Sequence, residues 1–230
     1  MCAERSIRDS SDYDPVAIQV AREAADTSGT DLVGVSVGTV AATAVKEKKN
    51  VLARGLDRVV TLGDGKTSEW SSVQVASALA ALIQRIEGVT LVVTGDASVD
   101  DGAQLMSALV GARLRLPTFL EVTHVEPSGM GWKITQNYDG GSRVVRTDGA
   151  AVIAATPDAT LPKAPGMKDI LKAAKKPMED VKCSELDLSQ ATVDVLSRGP
   201  APVKERKHQV FSGDGAADRL VAALRDASVI

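Results

Sequence analysis

The stretch TGDASVDDGAQ, residues 94–104, gathers three acids, two glycines and a glutamine directly behind the apolar run Leu91-Val92-Val93. A short apolar run bounded by turn residues reads as a buried strand. In an open parallel sheet, ligands settle at the carboxyl ends of the strands, beside the first turns of the helices that follow. Gly95 lets a ligand approach the backbone, while Ser98, Asp100 and Gln104 supply donors and acceptors. A helix predicted over 100–116 would turn the amides of Gly102–Gln104 toward a phosphate. Acids fit beside a phosphate if they cap the helix or bond a ribose or adenine while backbone N–H groups take the phosphate. Ser36, in the SVG that ends a neighbouring strand, lines the same crevice. A helix start capped by acids and holding nothing accounts for these residues equally well, because neither a P-loop nor a G-x-G-x-x-G run is present.

Other chemistries have fewer residues to work with. The only histidines are His124 and His208; the first falls in a predicted hairpin strand and the second in a polar arm, so neither completes a Ser-His-Asp site at a strand end. Asp100 and Asp101 are adjacent at a helix start and point apart, which rules them out as a working carboxylate pair. Cys2 and Cys183 are too far apart in sequence to suggest a disulfide framework or a metal spacing, and the chain reads as cytoplasmic. The start, MCAERSIRDSSDYD, has no apolar core of a secretory signal, and Val75–Ile83 is too short to span a bilayer. A net charge of −3 and 3% aromatic residues argue against a dedicated nucleic-acid binder.

The elements that must hold the crevice alternate regularly. Pro15, after Asp14, opens a helix through VAIQVAREAAD. Strands are predicted over 31–38, 57–63 and 89–95, with helices over 39–55, 71–88 and 100–116 between and after them. Helix–strand alternation with short links predicts an α/β fold with a doubly wound, mostly parallel sheet. Beyond Pro117 the pattern changes to strands joined by turns at 127–131 and 139–141, then a buried strand over 150–156. The core is read as 1–156. Residues 157–212 form an arm whose prolines forbid regular structure until a short helix over 167–175, and 213–230 form an amphipathic helix. An arm of that length serves a function or packs on a partner.

Together these stretches resemble the small (beta) subunit of electron transfer flavoproteins, in its Fix-type branch. The resemblance is carried by SDYDPVAIQVA (11–21), GVSVG (34–38), KKNVLARGLDRVV (48–60), GDASVDDGAQ (95–104), YDGGSRVV (138–145), APGMKDILKAAKKPM (164–178) and the closing SGDGAADRLVAALRDASVI. It implies an adenine-nucleotide hydrolase-like α/β core whose C-terminal arm clasps an FAD-bearing alpha subunit. It also implies a nucleotide, AMP or in bifurcating members a second FAD, held by the positions matching Ser11, Ser36, Gly95, Ser98, Asp100, Ala103 and Gln104. The segment over 160–176 is similar to the loop through which the family meets its flavin dehydrogenase or quinone oxidoreductase partners. Pro162 and Pro165 would stiffen it, Met167 and Ile170 present apolar surface, and Lys172, Lys175 and Lys176 steer acidic partners.

The resemblance implies no catalysis by this chain alone: it would shuttle electrons only with its alpha subunit, with no nucleic acid and no membrane insertion. Two departures stand out. Family members open with a strand and a turn ahead of the helix that begins near Ser11, and that strand is central in the sheet. Without it an apolar slot and unpaired backbone groups are expected, filled by another segment or chain, or by residues encoded upstream. Gln136 stands where the family favours a basic residue. The alternative reading is a nucleotide-binding or scaffolding α/β module with no electron-transfer role; an independent hydrolase of the same fold lacks a nucleophile and a phosphate loop.

Overall fold

One strand explains the layering. On β2 (Arg58–Gly63), Val59 packs with Leu52 and Ala53 of α2 (Val45–Ala53), whereas its neighbour Val60 and Leu62 pack with Ala78 and Leu82 of α3 (Ser72–Gln84). Successive strand residues point to opposite faces, so α2 and α3 cover opposite sides of the sheet. The computed structural model, which describes residues 13–98, 102–188, 196, 197, 199 and 208–230, is therefore a doubly wound α/β protein. It divides into two compact units, Met1–Val195 and Leu196–Ile230.

The first unit contains two sheets. In one, β1 (Val33–Gly38) pairs parallel with β2, and β2 pairs parallel with β8 (Met178–Asp180). In the other the order is β3 (Leu91–Gly95), β7 (Ala151–Ala155), β4 (Thr118–Ser128), β5 (Gly131–Tyr138) and β6 (Gly141–Arg146). Here β3, β7 and β4 are parallel, and β4–β5–β6 is an antiparallel ribbon. All five residues of β7 are buried, as a strand covered on both faces requires.

Helices bridge both sheets. On one face, α1 (Tyr13–Ser28) sets Val16, Val20 and Ala24 against Val122, Ile134 and Ile153, and Ile18 against the Leu52–Val59 cluster. On the other face, α3 contributes Ala78 and Leu82 to the cluster at Val60 and Leu62. Its Ala76 and Ile83 join Val110 of α4 (Met106–Leu114), with Val35 and Val92 packed against them. Leu52, Leu62 and Leu82 are fully buried, each worth about 1.5–3 kcal/mol relative to exposure. Arg22 fastens α1 further: its guanidinium donates to Asp57 (2.9 Å) and to the Gly55 carbonyl (3.1 Å), and Asp57 also accepts from the Leu32 N–H (2.8 Å).

Between the two sheets lies a cleft edged by β1 and β3. Asp64 N–H donates to the Gly38 carbonyl and Ala151 N–H to the Thr90 carbonyl. Because backbone groups alternate sides along a strand, Val33, Val35 and Val37 point theirs away from β2, and Leu91, Val93 and Gly95 point theirs away from β7. Both edges face a cleft of about 850 Å³ that Val33, Val35 and Leu91–Gly95 line together. No strand among the described residues fills it.

Three expectations need correction. The helix expected over 39–55 begins only at Val45: Thr39 closes a single turn, its carbonyl accepting from the Thr43 N–H, and Ala44 then takes an extended conformation (φ −63, ψ 153) that interrupts the helix. The helix expected over 100–116 begins at Met106: Gly102, at φ +65, is left-handed and cannot continue an α-helix. The helix expected over 71–88 ends at Gln84, where the N–H groups of Arg85 and Ile86 bond back to the carbonyls of Leu82 and Ile83. Within the expected arm, Met178–Asp180 is an unforeseen edge strand.

That edge strand is held by side chains. Lys48, almost wholly buried on α2, donates to Asp180, which also accepts from the Thr61 hydroxyl at 2.7 Å. Lys48 and Thr61 hold the Asp180 carboxyl below its ordinary range. In the second unit, α6 (Ala216–Asp226) buries no residue; Leu220 and Val221 are exposed on it.

Candidate functional site

The carboxyl ends of β1 and β3 meet the first turn of α1. A Cβ added to Gly95 would sit 2.7 Å from the Tyr13 Cβ, so only glycine allows the helix to start this close to the strand. Behind it, the Thr94 hydroxyl meets the Ser107 hydroxyl at 2.8 Å and fixes the end of β3 to α4.

The turn from β3 into α4 is ordered by its own backbone and by Asp96. Gly102 N–H donates to the Ser98 carbonyl (2.9 Å), and Ser98 N–H to the Ala103 carbonyl (3.3 Å). Asp96 is buried; one carboxylate oxygen accepts from Gln104 Nε2 at 2.8 Å and the other from the Glu121 N–H at 3.2 Å. The Gly102 amide thus closes the turn, and with α4 beginning at Met106 the expected phosphate seat on a helix start at Gly102–Gln104 is not formed.

Gly95, Ser98 and Ala103 line the larger cleft with Asp96 and Asp14. Ser36 lies across from Gly95 in an adjoining cleft of about 290 Å³, lined also by Asp14, Thr43, Lys48 and Thr61. Gln104 reaches this group through Asp96. Ser11 and Asp100 lie outside the described residues. The hydroxyls, carboxylates and close backbone at this junction offer donors and acceptors to a small polar ligand, and the larger cleft lies in the volume range of small-molecule sites. The role of Asp96 escaped the sequence reading, although it is the first acid of the quoted turn, because its second partner is 25 residues away.

The residues expected to meet a partner lie in one segment. Pro162, Met167, Ile170, Lys172 and Lys175 are exposed, as are Leu161 and Leu171, and Pro165 is half-buried. On α5 (Met167–Ala173) only Ala173 is buried, and Gly166 N–H donates to Asp169 at its start. Lys176 is turned inward instead: its ammonium donates to the carbonyls of Leu52 (3.2 Å) and Leu56 (2.6 Å), satisfying the carboxyl end of α2.

Among the described residues no helix is long and apolar enough to cross a membrane. The family model of the electron transfer flavoprotein domain matches residues 2–186, which takes in both strand ends, the Thr94–Gln104 turn and α5. The chain belongs to the electron transfer flavoprotein family, whose members are electron carriers.

Proposed function

We propose that this chain is the small (beta) subunit of a heterodimeric electron transfer flavoprotein of the Fix type. It binds AMP or a second FAD at the junction of β1, β3 and α1, and pairs with an alpha subunit that carries FAD. In that complex it serves transfer of electrons from a flavin dehydrogenase to an acceptor such as a quinone oxidoreductase, in the cytoplasm, with bifurcation where the second nucleotide is FAD. FAD supplies the redox chemistry when bound; this chain binds, orients and docks.

The observation that carries the reading is the convergence of Ser36, Gly95, Ser98 and Ala103 on two adjoining clefts at the strand ends. Ser36 and Ser98 offer hydroxyls to ribose and phosphate, Gly95 admits the ligand to the backbone, and Asp100 and Gln104 hold the base and sugar. Support for the pairing comes from the apolar side chains exposed on α5 in the first unit and, separately, on α6 in the second; exposed apolar patches mark protein contacts. The arm over 157–212 and the helix over 213–230 clasp the alpha subunit, and Met167, Ile170, Lys172 and Lys175 meet the dehydrogenase.

Co-expression with an FAD-bearing alpha subunit tests the reading. The expected product is a yellow heterodimer whose flavin is reducible by a partner dehydrogenase; one flavin per heterodimer with AMP marks a simple carrier, two a bifurcating one. A colourless monomer that binds AMP would favour the scaffolding module instead.

A further inference from the structure

We propose that Asp96 and Gln136 are positioning residues: they tie the Thr94–Gln104 turn to the antiparallel ribbon through a single interrupted point of β4, and so set the geometry of the candidate site. The ligand-binding part rests on the proposed function; the tie itself does not.

The interruption is visible in the ladders. β4 shifts register against β7 between Phe119 and Val122, and against β5 between Val122 and His124. At its centre Glu121 adopts φ +52, a left-handed conformation that side chains other than glycine rarely take. A bulge takes backbone groups out of the ladder, and side chains from two directions recover them here. Asp96 accepts from the Glu121 N–H (3.2 Å), and Gln136 Nε2 donates to the Leu120 carbonyl (2.6 Å). Both side chains are more than nine-tenths buried, where an unmet backbone group is costly.

Each of the two reaches onward with its other atom. The second Asp96 oxygen takes Gln104 Nε2 at 2.8 Å, and Gln136 Oε1 accepts from Arg143 Nη2 at 3.0 Å. Arg143 in turn lies over the Tyr138 ring, 4.3 Å from its centroid. A continuous line of bonds therefore runs from the outer strand β6, through Gln136, the Leu120–Glu121 peptide and Asp96, to Gln104 in the turn. Only an ionised carboxylate at 96 can accept from both a backbone N–H and an amide NH₂; asparagine, equal in shape, presents a donor to one of two donors. Gln136 bonds the Leu120 carbonyl and Arg143, so this line reaches the turn through the bulge.

The experiment compares the full chain with Asp96→Asn and Gln136→Leu, following amide hydrogen exchange residue by residue by NMR, and AMP binding in the assembled complex. Both substitutions are expected to speed exchange of the Gly102 and Ser98 amides about tenfold while Val60 and Leu62 on β2 stay unchanged, and to weaken AMP binding about tenfold. A general loss of stability would speed exchange everywhere alike. Uniform acceleration, or a turn unaffected by Gln136→Leu, overturns the tie. Arg143→Ala, at the exposed end of the line, repeats the test with a smaller shift in the same amides if the buried variants fail to fold. Absence of AMP binding in the unsubstituted complex would count against the functional reading, and the exchange result would still decide the tie.

Discussion

The turn at Thr94–Gln104 and the segment around α5 both project from the first unit, yet they differ in what they leave unmet. In the turn, backbone and side-chain polar groups close on one another: Asp96 takes Gln104 and Glu121, and Gly102 takes Ser98. Around α5 the anchors point inward, with Ala173 buried and Lys176 on the carbonyls of Leu52 and Leu56, while Leu161, Met167, Ile170 and Leu171 face outward. A rigid polar concavity suits a small ligand, whose affinity depends on preorganisation. An anchored helix with apolar side chains outward suits a protein partner. On the function proposed above, the two regions would serve two different kinds of recognition on one scaffold.

The largest expected effect lies just beyond the second region, where Lys48 and Thr61 hold β8. Asp180→Ala leaves the buried Lys48 ammonium without its carboxylate, and about 2–3 kcal/mol of stability should be lost in urea unfolding. Lys48→Met should cost much less, because Asp180 is largely open to water, with 70% of its side-chain surface exposed. Equal losses would show that the pair does not hold β8 as described.

The next test acts on the first region. Gly95→Ala forces a methyl group against Tyr13; the start of α1 must shift, at about 1–3 kcal/mol by thermal or urea unfolding, and nucleotide retention should fall with it. Ile170→Glu separates the regions most cleanly. It should leave stability within about 0.5 kcal/mol and nucleotide content unchanged, while reduction by the dehydrogenase slows about tenfold, a typical cost for a central contact residue. Coupled loss of nucleotide would deny that the two surfaces are independent.

The smallest expected effect is acid sensitivity. Burial pushes the Asp57 carboxyl up, but the Leu32 N–H and the Arg22 guanidinium outweigh it and hold it below the ordinary range, as Lys48 does for Asp180. Carboxyls lowered in the folded state contribute stability that is complete above the unfolded aspartate value and is lost as the pH falls through the folded values. Stability should therefore be flat through neutral pH and decline only in the acid range, and Asp57→Asn should flatten that decline. A stability loss centred near neutral pH would contradict this.

The alternation of apolar runs with helical stretches made the doubly wound fold legible, most plainly at β7, an apolar run buried throughout. What could not be read depends on contacts distant in sequence. Met178–Asp180 has three residues and no period; it is a strand because Lys48 and Thr61 hold Asp180 there. Lys176 reads as a surface charge until the carbonyls of α2 are seen beneath it. The starts of α2 and α4 moved because an extended Ala44 and a left-handed Gly102 interrupted the chain where helix spacing continued. At the candidate site, Ser36 and Gly95 drew notice from their places at strand ends and Ala103 only through the resemblance, whereas the part played by Asp96 required the bulge at Glu121.

The most direct test of the account is the nucleotide content of the purified complex with its alpha subunit. Extraction should yield one adenosine nucleotide, AMP or FAD, per copy of this chain beyond the FAD of the partner, and alanine at both Asp100 and Gln104 should remove it. A complex that contains no such nucleotide, together with an alanine pair that leaves flavin reduction unchanged, would contradict the account.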